Sequence, residues 1–262
     1  MKSLRFVSWP IAAVLLSVAA ACEPKLVVGE LACGSGEAGG PAVEPNVGEA
    51  IDLPWQTSFE RGFCEYRVLK GFCYPAGHYE ISSLHVHSGK QAAAFTVSGM
   101  AGAEQQARCV RQGTLPKQAY YSAYYFVPEA AVNTGNWNLF HFQGGNDADS
   151  LHSLWDVSLH SADNGDLSLY VFDFLGTGIR GRGETPRIPI GEWFEIGFYL
   201  RRAADETGEV ALYQNGQRIF ELTNIRTDDS SWGQWYVGNL ASELDPPVST
   251  LYVDDVAIRE SP

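Results

Sequence analysis

The chain has 262 residues, with 31 acidic against 18 basic side chains and a formal net charge of −13. It contains no Lys/Arg run, no Walker-type phosphate loop and no strand followed by Gly-x-Gly-x-x-Gly, so nucleic acid is not an expected partner and nucleotide chemistry has no motif to rest on. The 45% hydrophobic and 12% aromatic content is enough to bury a full core.

The first segment addresses the chain. Lys2 and Arg5 precede an apolar run from Phe6 to Val18, and Ala19-Ala20-Ala21-Cys22 closes it, which is the pattern of a secretion signal. The small residues before Cys22 resemble a bacterial lipobox, with Ala19 where that pattern more often has Leu, and this implies lipidation at Cys22 and a place in the bacterial cell envelope. The competing reading is cleavage after Ala21 with Cys22 left as a plain thiol. The run is shorter than the roughly 18–20 residues of a spanning helix, so membrane contact is expected through the lipid anchor only. Cleavage removes Lys2 and Arg5 and no acid, taking the net charge from −13 to −15.

Residues 1–21 are thus the signal, 22–52 a Gly/Pro/Ala-rich tether, and 53–262 one domain. Cys33, Cys64, Cys73 and Cys109 are an even set in an oxidising compartment, without metal-ligand spacing, and read as disulfide partners. Three pairings are open. A bond from Cys64 to Cys73 or to Cys109 is expected first, with Cys33 left in the tether.

Within the domain the pattern is strand almost throughout: period-two alternation of β-branched and aromatic residues, bounded by Gly, Asn, Asp and Pro. The clear runs are Ala92 to Val97, Ala119 to Val127, Asn138 to Gln143, Leu154 to His160, Leu167 to Phe174, Trp193 to Arg201, Val210 to Gln214, Arg218 to Leu222, Gln234 to Asn239 and Leu251 to Arg259. Asn215-Gly216 signals a type I′ hairpin, because both turn positions need positive φ. Strands at this spacing predict a sandwich or jelly roll.

Several segments together carry a family likeness: Phe59-Glu60, Ser88 to Ala92, Tyr120 to Pro128, Gly191 to Ile196, Leu212 to Gln217 and Leu251 to Val256. In this order they resemble the concanavalin-like lectin/glucanase superfamily over nearly the whole domain. The jelly-roll polysaccharide lyases and their non-catalytic relatives are the most similar members. The resemblance implies an all-β, concanavalin-like jelly-roll β-sandwich of two antiparallel sheets. It leaves function open, since this scaffold carries lectins, hydrolases, lyases and adhesion modules.

Each chemistry asks for different residues. Glycoside hydrolysis needs two carboxylates about 5–10 Å apart. The strand Trp155 to His160 offers only Asp156, beside Ser158 and His160, on one face, and one carboxylate is not a pair. Elimination on a uronic acid needs Arg, Asn or Gln to neutralise the carboxylate, and His or Tyr as base and acid. Alternation from Asn138 to Gln143 buries Phe140 and Phe142 and puts Leu139, His141 and Gln143 on the other face. His141 with Gln143 resembles, in reverse order, the Gln and His two apart on a central strand of alginate-lyase-like jelly rolls. Arg108 and Arg111 resemble the arginine-bearing strand beside it, although their spacing of three lets only one face the cleft. Tyr236, with Trp235 before Gly238-Asn239, stands where such enzymes have Tyr-x-Lys-x-Gly-x-Tyr. The catalytic set for a lyase is therefore His141, Gln143, Arg108 and Tyr236.

Carbohydrate binding needs less: aromatic platforms and a few polar groups. Trp137, Trp232 and Trp235, with Asp156 and His160, are the expected groove residues. Asp254 shares a strand face with Tyr252, Val256 and Ile258, and a buried carboxylate needs a partner; because related sandwiches place a calcium between such an aspartate and the Glu of an N-terminal Phe-Glu, the resemblance implies a structural calcium held by Glu60 and Asp254, with a hydrogen-bonded buried carboxylate as the alternative. His85 and His87 alternate on one face but have no third ligand. The order of expectation is a monomer that binds polysaccharide without catalysis, then a polysaccharide lyase, then a protein-binding surface module.

Overall fold

The computed structural model describes residues 53–262 apart from 68–70, 74–77, 99–104, 147–149, 177 and 229. The signal, Cys22, Cys33 and the tether lie outside the described residues. In chain order the elements are β1 (Trp55–Thr57), α1 (Cys64–Arg67), β2 (Gly71–Cys73), β3 (His78–Ser82), β4 (Ala92–Ser98), β5 (Gln105–Gly113), β6 (Gln118–Phe126), β7 (Val132–Asn133) and β8 (Trp137–Gly145). There follow β9 (His152–Ser161), β10 (Leu167–Asp173), β11 (Gly178–Arg180), β12 (Trp193–Arg201), β13 (Gly208–Gln214), β14 (Gln217–Ile225), β15 (Trp232–Ala241), β16 (Leu244–Asp245) and β17 (Val248–Arg259).

These strands form two large antiparallel sheets, a jelly-roll β-sandwich. One has the order β14-β13-β12-β6-β17-β4-β3, with β1 added on β17, and the other β11-β10-β9-β8-β15-β5-β2. Alternation supplies the core between them: Phe194, Ile196, Phe198 and Leu200 of β12 face Phe140, Phe142, Trp155, Val157 and Trp235 from the other sheet, all fully buried. The Asn215-Gly216 hairpin has φ of 52° and 72°, as the type I′ turn requires. No helix of the described residues is long and apolar enough to cross a membrane.

Cys73 and Cys109 are opposite one another on β2 and β5 and form a disulfide. Cys64 is disulfide-bonded too, so the expected bond from Cys64 to Cys73 or Cys109 is corrected: those two are joined to each other.

Asp254 is also placed differently from expectation. A bulge between Asp254 and Ala257 inserts a residue opposite β6, with Asp255 at a φ of 45°. Leu251 and Val253 before it, and Val256 and Ile258 after it, can then all face the core. Tyr252 and Asp254 point the other way, onto the outer face of the eight-stranded sheet. Asp254 is nevertheless fully buried, because the loop after β3 covers it. Its carboxylate accepts from the backbone N–H of His87 at 3.0 Å, Ser88 at 3.1 Å and Asp255 at 2.8 Å. Burial pushes its pKa up to about 6, against these three donors, which favour the charged form. Glu60 holds the same loop by accepting from Lys90 N at 2.7 Å and Gln91 N at 2.9 Å. Among the described residues no group of three or more His, Cys, Asp or Glu is placed to hold a metal ion.

Candidate active site on the seven-stranded sheet

The outer face of the seven-stranded sheet is where polar side chains converge. On its three central strands, Tyr236 of β15, His141 of β8 and Asp156 of β9 are register partners in one row. Strand neighbours lie about 4.8 Å apart, so side chains on one face of such a row touch. The His141 Nδ1 meets Asp156 Oδ1 in a short hydrogen bond, and the two side chains are only 10% and 16% exposed. An aspartate on Nδ1 fixes the tautomer that carries the proton there and leaves a lone pair on Nε2. The His141 ring packs edge-on against that of Tyr236 at 5.1 Å between centroids.

Two bulges make this row. In β8 the register slips between Asn138 and Phe140, so Leu139 and Phe140 are both fully buried and Asn138 and His141 share the outer face. The expected placement of Leu139 beside His141 is thereby corrected. In β15 it slips between Val237 and Leu240, at Gly238 with φ 147°, where a Cβ would stand 2.4 Å from the Ala107 carbonyl oxygen. Tyr125 reaches across from the other sheet to secure that bulge: its hydroxyl lies within hydrogen-bond distance of Leu139 O, Gly238 O and Gly238 N.

The phenol of Tyr236 sits in an amide network. It bonds the side-chain amides of Gln143, at 2.8 Å, and Gln234, and Gln234 Nε2 in turn donates to Gln112 Oε1 at 3.0 Å. A phenol has one proton, so it donates to one amide and accepts from the other. With Gln234 committed through its nitrogen to Gln112, its Oε1 takes the Tyr236 proton, while Gln143 places its side-chain amide 2.8 Å from the same phenol oxygen. Arg108 of β5 covers the Tyr236 ring, its guanidinium 4.6 Å from the centroid, and donates to Gln106 Oε1 at 2.5 Å and Asn138 Oδ1 at 3.4 Å. Arg111 goes elsewhere, to the Glu65 carbonyl and the Trp55 ring, so one arginine of the pair faces this surface, as the spacing requires.

His141, Gln143, Arg108, Tyr236 and Asp156 therefore come together, and His160 lies farther along β9 on the same face. The three tryptophans do not join them. Trp137 and Trp235 are fully buried in the core between the sheets, and Trp232 is fully buried at the start of β15. Trp137 donates from Nε1 to Asn239 Oδ1 at 3.1 Å inside the molecule. Their expected role as groove-lining platforms is corrected: the β8 bulge and the parity of β15 turn Trp137 and Trp235 inward. The aromatic surface at the site is instead Phe174, 45% exposed, with its ring 6.1 Å from that of His141 and 4.6 Å from that of Phe172. Phe174 ends a run whose alternation was legible, but only the fold shows which histidine it meets. Gln112, Gln234 and Asn138 are network members that no motif flagged.

The fold recurs in solved structures. An endo-β-1,4-glucuronan lyase from the fungus Trichoderma reesei superposes with a TM-score of 0.55 at 16% identity, over 72% of this chain and 90% of that one. A PL-14 alginate lyase from Aplysia kurodai gives 0.54 at 12% identity, over 79% and 98%. The cellulose-induced protein Cip1 gives 0.52 at 14% identity, over 78% and 96%. At these identities the likeness establishes the fold. No protein family and no curated protein matches the sequence.

Proposed function

We propose that this protein is a polysaccharide lyase that cleaves a uronic-acid glycan by β-elimination. The observation that carries the reading is the row Tyr236–His141–Asp156, flanked by Gln143 and Arg108, on the outer face of one sheet. Elimination removes the proton at C5 of a uronate, develops charge on its carboxylate, breaks the C4–O bond and returns a proton to the departing oxygen. His141 Nε2, freed as a base by Asp156 on Nδ1, takes the C5 proton. The Arg108 guanidinium and the Gln143 amide, both donors, stabilise the charged carboxylate as the C5 carbanion forms. Tyr236 turns its phenol proton from Gln234 Oε1 to the leaving oxygen, and Gln143 turns an N–H to the phenol oxygen to stabilise the phenolate left behind. That solved structures of the same fold include a glucuronan lyase and an alginate lyase agrees with this chemistry.

Non-catalytic polysaccharide binding, the first expectation from sequence, rested mainly on tryptophan platforms that lie in the interior. It remains a second reading because Phe174 offers an exposed ring at the same face. With either reading goes a proposed place in the bacterial cell envelope, anchored by lipid on Cys22 after the signal of residues 1–21. The test is incubation of the full chain with polyuronates and neutral polysaccharides, following the ultraviolet absorbance of an unsaturated uronate. A rise that vanishes in His141→Ala supports elimination. A flat trace with every polymer, together with retention of the protein in a polysaccharide-containing gel, supports binding alone.

A further inference from the structure

Beside the catalytic row, the flank formed by β9, β10 and β11 carries an arginine whose partners differ from those of six others. Arg61, Arg180, Arg187, Arg201, Arg218 and Arg259 each have a carboxylate partner. Arg182 has no ion pair among the described residues. Its Nε donates to His160 Nδ1 at 3.0 Å, and its guanidinium carbon lies 6.0 Å from the Tyr170 ring centroid. In a chain with 31 acids to 18 bases, an exposed arginine resting on a histidine and a tyrosine is not there to neutralise a neighbour.

The surroundings fix where it sits. His160 follows Asp156 and Ser158 on one face of β9, and Tyr170 is the register partner of Ser158. Arg182 is therefore on the same outer face as His141. The segment that carries it is pinned along β10: Thr185 Oγ1 donates to Leu169 O, Ile188 N to Leu167 O at 2.9 Å, and Arg187 pairs with Asp166 at 2.7 Å. His141 on β8 and Tyr170 on β10 are two strand spacings apart, roughly 10 Å across the sheet. Phe174, whose N–H donates to Leu154 O, lies on the other side of the His141 row from Tyr170, with an exposed ring beside His141.

We propose that Arg182, held by His160 and Tyr170, forms a second subsite on this flank, which takes the uronate next to the one at His141. Phe174, across the row, covers the apolar face of the sugar at His141, and the outward N–H groups of Arg182 receive the carboxylate of the next residue. The substrate class is accordingly a polyuronate with consecutive uronate residues, rather than a glycan in which every uronate is separated by a neutral sugar. This inference rests on the proposed binding of a uronic-acid glycan at His141.

The test is affinity electrophoresis of the full chain through gels containing polymannuronate or polyglucuronate, or the carboxyl-reduced, neutral form of each, with unsaturated product assayed on the same samples. Retardation of the wild type by a polyuronate is expected, with Arg182→Gln needing about tenfold more polymer for the same effect and Arg182→Lys falling between. The neutral polymers should not distinguish the three proteins, and Phe174→Ala should weaken retardation by charged and neutral polymer alike. Arg182→Gln retarded as strongly as the wild type overturns the subsite, even if product forms and the lyase reading stands. Loss of retardation in Arg182→Gln with no product from the wild type keeps the subsite and sinks the lyase reading. A wild type that neither polyuronate retards overturns the proposal.

Discussion

Two histidine–aspartate pairs lie on opposite outer faces of this sandwich, and they are built for different ends. His141 and Asp156 sit on the seven-stranded sheet among Tyr236, Gln143, Arg108 and Asn138, groups that present protons, lone pairs and positive charge to one place. His87 and Asp255, 2.6 Å apart, sit on the eight-stranded sheet, where the His87 ring stacks on Tyr124 at 3.7 Å and meets Trp193 edge-on at 5.6 Å. Ser88 Oγ donates to the other oxygen of Asp255 at 2.8 Å, and the neighbouring Asp254 holds the backbone of the same loop. The second pair is a fastening, since its polar atoms are spent on the loop and its ring face on tyrosine. A histidine–aspartate pair becomes a candidate site through what else converges on it, and of these two only the first has that company.

The sharpest way to break this comparison is to remove each histidine. His141→Ala should lower the elimination rate by about 10²–10⁴-fold, the usual worth of a positioned acid or base, with little change in melting temperature. His87→Ala should leave the rate unchanged. Equal rates for the two variants would end the distinction. Tyr236→Phe and Asp156→Asn come next, each with an expected loss of about 10²-fold in kcat, the first by removing a proton and the second by releasing the His141 tautomer. Tyr236→Phe should also cost about 1–3 kcal/mol of stability, because the amides of Gln143 and Gln234 lose a buried partner; chemical denaturation measures it.

Much of this was legible in the chain before its fold was known. Alternation located most of the strands, Trp193–Arg201 to the residue, because a strand with one buried face must repeat every second position. It also allowed only one of Arg108 and Arg111 to face the cleft. His141, Gln143, Arg108 and Tyr236 were found through the family likeness and the chemistry that elimination requires. What alternation could not carry was parity across a bulge. One extra residue at Asn138–Phe140, at Gly238 or at Asp255 turns everything beyond it over, so Leu139 goes inward and Asp254 outward. Long-range partners were equally invisible: the Asp156 carboxylate on His141, the phenol of Tyr125 under Gly238 and the position of Phe174 all depend on pairings between distant strands.

The tryptophans give the next effect in size, and it falls on stability. Trp235→Ala opens a cavity between Phe142, Phe140 and Tyr121, whose rings lie 5.0–6.3 Å from it. The expected loss is about 3–5 kcal/mol in denaturant unfolding, with glycan retention of the folded fraction unaltered. Selective loss of retention at full stability would return Trp235 to the groove. His87→Ala should cost far less, about 1 kcal/mol or roughly 2–4 °C in melting temperature, as expected for a partly exposed hydrogen bond and one ring stack.

The smallest effect tests the flank of the first site. Burial is the main reason the His160 pKa lies below its ordinary 6.5, and the Arg182 charge lowers it further, while Asp163 works in the opposite direction. In Arg182→Gln the second cause is gone and the first remains, so the pKa followed by NMR should rise part of the way back towards 6.5. A histidine whose pKa is depressed by folding stabilises the native state least in acid: stability is lost as pH falls from 6.5 towards the lower folded value. Arg182→Gln should therefore flatten the acid side of the stability curve slightly, where an arginine that only drifts in solvent would leave both the His160 titration and the curve as they are. The same substitution at His87's side of the molecule has no counterpart, because there the neighbour of the histidine is the carboxylate of Asp255 and the loop it fastens.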